Sequence, residues 1–213
     1  RKGIKLENIY FSYSGKNIFN NFNLTLSPGE TVVFKGSNGV GKSTLINLIC
    51  GIINPDQGVV EYDDINIKRI RWYSLKRIIG VVPQDTLLFN DTVRNNISLG
   101  KTISDDKIIK LSKELGFSDI TQGAKLDLNT FINNNGSNIS GGQRQKIAIL
   151  RVLLFNYQIL LLDEPGNFLD EESCYNLYNY ITSQNQDKII IIVSHKNIPG
   201  INGSDIYKIK EIV

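Results

Sequence analysis

Short apolar runs alternate with amphipathic segments along the chain. Four runs, at 31–35, 78–82, 159–163 and 188–193, are almost wholly apolar, which is typical of strands buried on both faces of a parallel sheet. Between them, segments at 42–52, 141–154 and 172–184 have the spacing of helices that bury one face. Strands that alternate with helices in this way predict an α/β fold with a parallel sheet.

Two parts of the chain depart from this pattern. The first 30 residues are rich in β-formers and contain the turn "SPGE" at 27–30, which predicts antiparallel strands ahead of the parallel sheet. From Thr92 to Gly123 the composition is polar and helical, which predicts a helical insertion in the middle of the chain. The asparagine-rich segment 129–138 that follows is predicted to be a loop.

Composition narrows the functional class only a little. The chain has 213 residues, of which 41% are hydrophobic and 21% charged, and this is ordinary for one soluble domain. Its net charge is +3 and its basic residues are scattered, so nucleic acid is not the expected partner. No apolar run approaches the roughly 18 residues needed to cross a bilayer. The two cysteines lack the spacing of a metal site and are expected to be reduced, as in a cytosolic protein. We therefore expect a soluble cytoplasmic domain.

The segment "GSNGVGKST" at 36–44 matches the phosphate-binding pattern G-x-x-x-x-G-K-[ST]. It lies after a predicted strand and opens a predicted helix, so its backbone N–H groups and the helix dipole would attract phosphate. A chance glycine-rich turn is the alternative, and the strand–loop–helix context argues against it. Lys42 is expected to reach the β- and γ-phosphates and Ser43 to bind Mg²⁺. The predicted nucleotide-binding residues are Gly36, Ser37, Asn38, Gly39, Val40, Gly41, Lys42, Ser43 and Thr44.

Three other predicted strands end in polar residues that could complete this site. Asp163 and Glu164 end one strand, and we expect Asp163 to hold Mg²⁺ and Glu164 to act as a general base toward water. Gln84 and the only histidine, His195, end two more. Each has an ordinary alternative, since acids favour the first turn of a helix and a lone histidine is usually structural. Parallel strands present their carboxyl ends to one crevice, however, which predicts that the four residues converge.

The stretch "SNISGGQRQKIAIL" at 137–150 places two glycines where a helix should begin. Ser140 alone would cap this helix, and the glycines behind it add only backbone entropy to the cost of folding. Either the segment is a loose turn, or an anion comes close to the bare backbone amides.

Together these segments closely resemble the ATP-binding cassette (ABC) ATPases over essentially the whole chain, and "ISGGQ" is similar to that family's signature. The resemblance implies a P-loop NTPase (RecA-like) core with an N-terminal antiparallel β-subdomain, which together cover about 1–85 and 156–213, and an inserted α-helical signature subdomain at about 86–155. It implies that ATP and Mg²⁺ are the cofactors. The catalytic roles that it implies fall on Lys42, Gln84, Glu164 and His195, and the metal contacts on Ser43, Gln84 and Asp163.

In this family two cassettes pack head to tail, and the signature of each covers ATP bound to the other. The resemblance therefore implies contacts to a partner's γ-phosphate from Ser140, Gly141, Gly142 and Gln143. It also places Asp170 in the loop called the D-loop, and Tyr13 where an aromatic ring stacks on adenine, although an ordinary strand tyrosine is the alternative.

The segment "DTLLFNDTVRNNISLG" is similar to that of exporters, which implies a transmembrane domain N-terminal to residue 1 and a place at the cytoplasmic face of a bacterial plasma membrane. "EPGNFLD" departs from the "EATSALD" usual in exporters. Two other functions stay open from the sequence. One is a soluble ABC ATPase that acts on ribosomes or DNA, and the other is a module that binds ATP without hydrolysing it.

Overall fold

A computed structural model describes residues 2–36, 39–123, 126–133, 136–184, 187–195, 198 and 206–208, with only the backbone described at 184 and 206–208. Its central sheet has the strand order β11-β3-β10-β9-β6, and every pairing within it is parallel. These strands are β3 (Thr31–Lys35), β6 (Ile79–Val82), β9 (Ile159–Asp163), β10 (Ile189–Val193) and β11 (Ile206–Lys208).

Successive residues of β9 and β10 face two different hydrophobic cores, which explains the almost unbroken apolar sequence of these two strands. Leu160 and Ile190 pack in one core together with residues from the middle of the chain, such as Ile108 and Ile147. Leu161 and Ile191 pack in the other, together with residues of the N-terminal strands. Residues 159–162 and 189–193 are consequently all buried. The parallel sheet predicted from the apolar runs is confirmed.

A second, antiparallel sheet begins with the two N-terminal strands, as predicted. Its strand order is β2-β1-β4-β5, formed by β1 (Ile4–Tyr13), β2 (Lys16–Leu26), β4 (Gln57–Tyr62) and β5 (Ile65–Asn66). β1 pairs with β2 and with β4, so that Ile4 of β1 lies opposite Leu26 on one side and Tyr62 on the other. The three side chains are buried, so this sheet contributes one wall of the second core.

Six α-helices complete the described part of the chain. They are α1 (Lys42–Ile49), α2 (Trp72–Ile78), α3 (Val93–Ser98), α4 (Asp105–Glu114), α5 (Gly141–Leu153) and α6 (Glu171–Gln184), with 3₁₀ turns at Ile67–Arg69 and Ser118–Ile120. None of the helices described is long and apolar enough to span a membrane.

The prediction of a loop at 129–138 was partly wrong. Phe131–Ile132 forms a short strand, β8, which pairs with β7 (Asp91–Thr92). Ile132 is buried in the core beneath the middle helices, so tertiary packing and not the asparagine-rich composition decides its conformation. The subdomain boundaries near residues 85 and 155 stay a prediction.

Candidate active site

The predicted phosphate loop connects β3 to α1, and two of its glycines adopt conformations that other residues avoid. Gly39 has φ 78° and Gly41, which precedes the first residue of α1, has φ 107°. A Cβ atom at Gly41 would lie 2.6 Å from Ile18 Cγ2, so the loop also packs too closely against β2 for a side chain. Ser37 and Asn38 lie outside the described residues.

The Lys42 ammonium group lies at the entrance to α1 and is buried. Its Nζ donates a 2.7 Å hydrogen bond to Gly36 O and lies 3.9 Å from Glu164 Oε1. A buried ammonium needs negative partners, because desolvation disfavours the charged form. Lys42 therefore links the start of the phosphate loop to the acidic end of β9, where an incoming phosphate group would find a fixed cation.

Ser43 and Asp163 form a pair of oxygen ligands beside this lysine. Ser43 Oγ donates a 3.5 Å hydrogen bond to Asp163 Oδ2. Burial raises the pKa of Asp163, and Glu164 raises it further, while Lys42 and Ser43 lower it. Two hard oxygens beside a crowded pair of carboxylates suit Mg²⁺, which usually takes one or two protein ligands and completes its shell with water and phosphate. The described residues contain no group of three or more His, Cys, Asp or Glu that could hold a metal ion.

Glu164 is the one described site residue other than glycine with a left-handed backbone conformation, at φ 51°. Two hydrogen bonds maintain that conformation, since its N–H donates to Val193 O over 2.9 Å and its carbonyl accepts from the Asn167 N–H over 3.2 Å. The turn directs the carboxylate inward, where only 6% of the side chain is exposed. Strained conformations held in this way cluster at functional sites.

His195 contacts the same carboxylate. Its Nδ1 lies 2.9 Å from Glu164 Oε2, and its backbone N–H donates to the same oxygen over 3.4 Å. An ionised carboxylate only accepts hydrogen bonds, so we assign the proton to Nδ1. The two oxygens of Glu164 thus have different neighbours, Lys42 for Oε1 and His195 for Oε2.

An open cleft of about 350 Å³ unites these elements. Tyr13, at the end of β1, borders it with 70% of its surface exposed, so its ring is available to a flat ligand. Gln84 lies at the edge of the same cleft, beyond the end of β6. The described residues that line the cleft are Tyr13, Ile18, Gly39, Gly41, Lys42, Ser43, Thr44, Gln84, Asp163 and Glu164.

The glycine pair begins α5 as predicted, but it does not line this cleft. Ser140 caps the helix with a complete capping box, in which its Oγ accepts from the Gln143 N–H and Gln143 Oε1 accepts from the Ser140 N–H. The helix start is therefore firmly built and is not a loose turn. Among the described residues, Phe168 is the residue that a Cβ atom on Gly141 or on Gly142 would approach most closely.

Phe168 has a role within the chain that the sequence did not indicate. A Cβ atom at Gly142 would lie 2.7 Å from Phe168 O, so this glycine is required by packing inside one chain. At Gly141 a Cβ atom would lie 3.4 Å from the Phe168 ring, which is an ordinary contact. The signal was present in the departure of "EPGNFLD" from the exporter pattern, but sequence alone does not show which segment the phenylalanine contacts.

Asp170 also lies outside the cleft. Its Oδ1 accepts from the Ser173 N–H and its Oδ2 from Ser173 Oγ, both over 2.8 Å, so it caps the start of α6. Its Oδ2 lies 3.8 Å from Lys146 Nζ. The contacts that the structure gives Asp170 are thus within its own chain, and a contact with nucleotide stays a prediction.

Comparison with known proteins identifies the family. The sequence profile described as "ABC transporter" matches residues 19–167, which include the phosphate loop, the glycine pair and Glu164. The chain belongs to the ABC transporter family. Within this family it is an ATP-binding domain, and the predicted family and fold are confirmed.

Several relatives show what this ABC domain is similar to. It is 35% identical over 210 residues to ATP-binding cassette sub-family B member 6 from Xenopus tropicalis. The aligned region covers 98% of this chain and 25% of that protein. It is 38% identical over 215 residues to an ATP-dependent lipid A-core flippase from Wigglesworthia glossinidia brevipalpis. That aligned region covers 99% of this chain and 37% of the flippase.

A solved structure is similar over almost the same region. The structure of a bacterial Atm1-family ABC exporter with ATP bound superposes with a TM-score of 0.84 at 29% identity, over 92% of this chain and 35% of that one. The ABC domain therefore spans about a quarter to two fifths of the length of these proteins.

Proposed function

We propose that this ABC domain is the Mg²⁺-dependent ATPase that powers an exporter. The observation that carries the proposal is the convergence of the phosphate loop and the Asp163 and Glu164 pair on one cleft, with His195 in contact with the Glu164 carboxylate. Glu164 and His195 are both present and in contact, which favours hydrolysis over mere retention of ATP. The relatives named as a lipid A-core flippase and an exporter favour transport over action on ribosomes or DNA.

The residues of the chain divide the chemistry between them. Lys42 would neutralise charge on the β- and γ-phosphates, and the phosphate-loop amides would hold the same groups in place. Glu164 would orient and deprotonate the attacking water, and His195 would fix the position of its carboxylate. Mg²⁺, held through Ser43, Asp163 and Gln84, would offset the charge that develops on the phosphate oxygens.

The proposal includes a second ABC cassette as a partner of this domain. Ser140 and the glycine pair do not line the cleft of their own chain, although the bare first turn of α5 is suited to an anion. A head-to-tail dimer would place this turn over the ATP of the other copy and so give it a ligand. The same arrangement would leave each cleft incomplete until two cassettes meet.

The proposal also includes a transmembrane domain as a partner. Leu87 and Phe89, which follow Gln84, expose 70% and 61% of their surface. Their segment is nonetheless held rigidly, because Asn96 accepts from and donates to the Phe89 backbone and Arg151 donates to Leu87 O and Asn96 O. An apolar pair presented by a fixed backbone suits a partner surface. Docking there would place this domain at the cytoplasmic face of the membrane.

The dimer can be tested with two matched substitutions at Gly141. Glu164→Gln should leave ATP bound and uncleaved, so ATP with Mg²⁺ should convert the monomer into a dimer in light scattering. Adding Gly141→Asp should abolish that dimer, because the new carboxylate would face the phosphates of the second copy. Adding Gly141→Asn should preserve much of it, since asparagine has the same size without the charge.

Position 141 is the informative one, because Gly142→Asp would also clash with Phe168 O inside one chain. ATP affinity of each monomer, measured by calorimetry, should be unchanged by either substitution at Gly141. A Gly141→Asp protein that still dimerises with ATP would contradict the proposed role of the glycine pair.

A further inference from the structure

We propose that Lys146 is a positioning residue for hydrolysis, which fixes the glycine pair of α5 relative to the loop that carries Glu164. The proposal rests on the proposed ATPase function and extends it to a residue outside the cleft. The Lys146 side chain is buried, and the residue lies in α5, one helical turn after Gly142.

Lys146 joins three separate segments of the chain. Its Nζ lies 2.9 Å from Asp119 Oδ1, which belongs to the 3₁₀ turn at Ser118–Ile120, and 3.8 Å from Asp170 Oδ2, which ends the loop after β9. The Phe117 ring lies below it, with its centroid 5.4 Å from Nζ. One cation therefore connects α5 both to the 3₁₀ turn at Ser118–Ile120 and to the loop that carries Glu164.

A second contact lies on the same face of α5. Gly142 and Lys146 are four residues apart, so their side-chain positions lie one above the other along the helix. At Gly142 the neighbour is Phe168 O, and at Lys146 it is Asp170. The loop from Glu164 to Asp170 thus runs along the first two turns of α5, with a close backbone contact at one end and an ion pair at the other.

The burial of the three charged groups shows what removing the lysine would do. Only 10% of the Lys146 side chain is exposed, against 48% for Asp119 and 60% for Asp170. Without the lysine, both carboxylates would remain solvated, so no buried charge would be left unpaired. Methionine would fill the same space beside Phe117 without a charge. Lys146→Met should therefore fold, while the Glu164 loop loses its ionic attachment to α5.

The expected consequence appears in turnover and not in binding. ATP contacts in the cleft come from other residues, so KM for ATP should be nearly unchanged. The loop that carries Glu164, and the glycine pair offered to the second copy, must hold their relative position for the water to be aligned. A displacement of about 1 Å can reduce a rate by about 10²-fold, so kcat should fall.

The experiment compares Lys146→Met, Lys146→Arg and Arg94→Met in steady-state ATP hydrolysis. Arg94 is the matched control, since it forms a bidentate ion pair with Asp105 at 2.7 and 2.5 Å and does not line the cleft. Lys146→Met should lower kcat about tenfold or more with KM within about twofold. Lys146→Arg should restore most of kcat, and Arg94→Met should match the unsubstituted protein.

A second variant, Asp170→Asn, removes the carboxylate on the Glu164 loop while Lys146 keeps Asp119 as its partner at 2.9 Å, so no buried charge is left unpaired, and it should reproduce the loss of kcat. It decides the question if Lys146→Met does not fold. Hydrogen exchange in the absence of nucleotide gives a readout that does not depend on hydrolysis, and amides at 141–146 and 164–170 should exchange faster in Lys146→Met. Unchanged exchange together with unchanged kcat in the variants would overturn the positioning role. An unsubstituted protein that fails to hydrolyse ATP would instead contradict the proposed function.

Discussion

His195 holds Glu164 through a 2.9 Å contact between Nδ1 and Oε2. The two residues follow adjacent parallel strands, because β9 and β10 pair with Asp163 opposite Val193. The hydrogen bond from the Glu164 N–H to Val193 O ties the same two strand ends through the backbone. The orientation of the carboxylate is therefore set by the sheet itself, which is the condition for aligning a water molecule without reorganisation.

The His195 contact predicts a graded effect of substitutions. His195→Ala should lower kcat by about 10²-fold or more, because the Glu164 carboxylate loses the donor that orients it. His195→Asn should be less impaired, since the asparagine amide can place an N–H near the position of Nδ1. Steady-state phosphate release measures both. Equal activities of the alanine and asparagine variants would show that the hydrogen bond does not orient Glu164.

The exposed ring of Tyr13 predicts stacking on adenine. Tyr13→Ala should weaken ATP binding by about two- to tenfold, the range expected for one aromatic contact. Tyr13→Phe should retain most of the affinity, because stacking needs the ring and not the hydroxyl group. Calorimetric titration with ATP separates the two variants. If alanine and phenylalanine bind ATP alike, Tyr13 is an ordinary strand residue.

The two glycines at the start of α5 should differ in their tolerance of a methyl group. Gly142→Ala should lower the free energy of unfolding by about 1–3 kcal/mol, because its Cβ would press on Phe168 O at 2.7 Å. Gly141→Ala should be neutral or stabilise the protein slightly, since its Cβ has room and alanine favours helix. Urea unfolding measures both. Equal stabilities of the two variants would contradict the packing described here.

The cap that Asp170 forms on α6 predicts a dependence of stability on pH. The hydrogen bond from the Ser173 N–H lowers the pKa of Asp170 below its ordinary value of 3.8. Its contribution is therefore fully present above the pKa of the unfolded chain and is lost as pH falls through the lower folded value. Asp170→Ala should cost about 1 kcal/mol near neutral pH.

Urea unfolding at several pH values tests the cap. The difference between the unsubstituted protein and Asp170→Ala should shrink as pH falls from about 5 toward 2. Asp170→Asn keeps an uncharged cap, so its difference from Asp170→Ala should stay nearly constant over the same range. A difference between the unsubstituted protein and Asp170→Ala that persists unchanged in acid would exclude the carboxylate as the cap.

Sequence predicted the parts of this site that local pattern determines. The phosphate loop and the capped start of α5 depend on glycines and on Ser140 within a few residues, and strand ends such as Glu164 converge because parallel strands share an edge. Contacts between distant segments were not predictable in this way. The approach of Phe168 to Gly142 and the ion pairs of Lys146 depend on how α5 packs, which no local pattern encodes.

Phosphate release in a single turnover tests the central claim most directly, namely that Glu164 in this cleft drives ATP hydrolysis. With the protein in excess over ATP and with Mg²⁺ at saturation, Glu164→Gln should release phosphate at least about 10²-fold more slowly than the unsubstituted protein. Its ATP affinity should stay within about twofold, whereas Lys42→Ala should lose affinity as well as rate. A Glu164→Gln protein that releases phosphate at the unsubstituted rate would contradict the account.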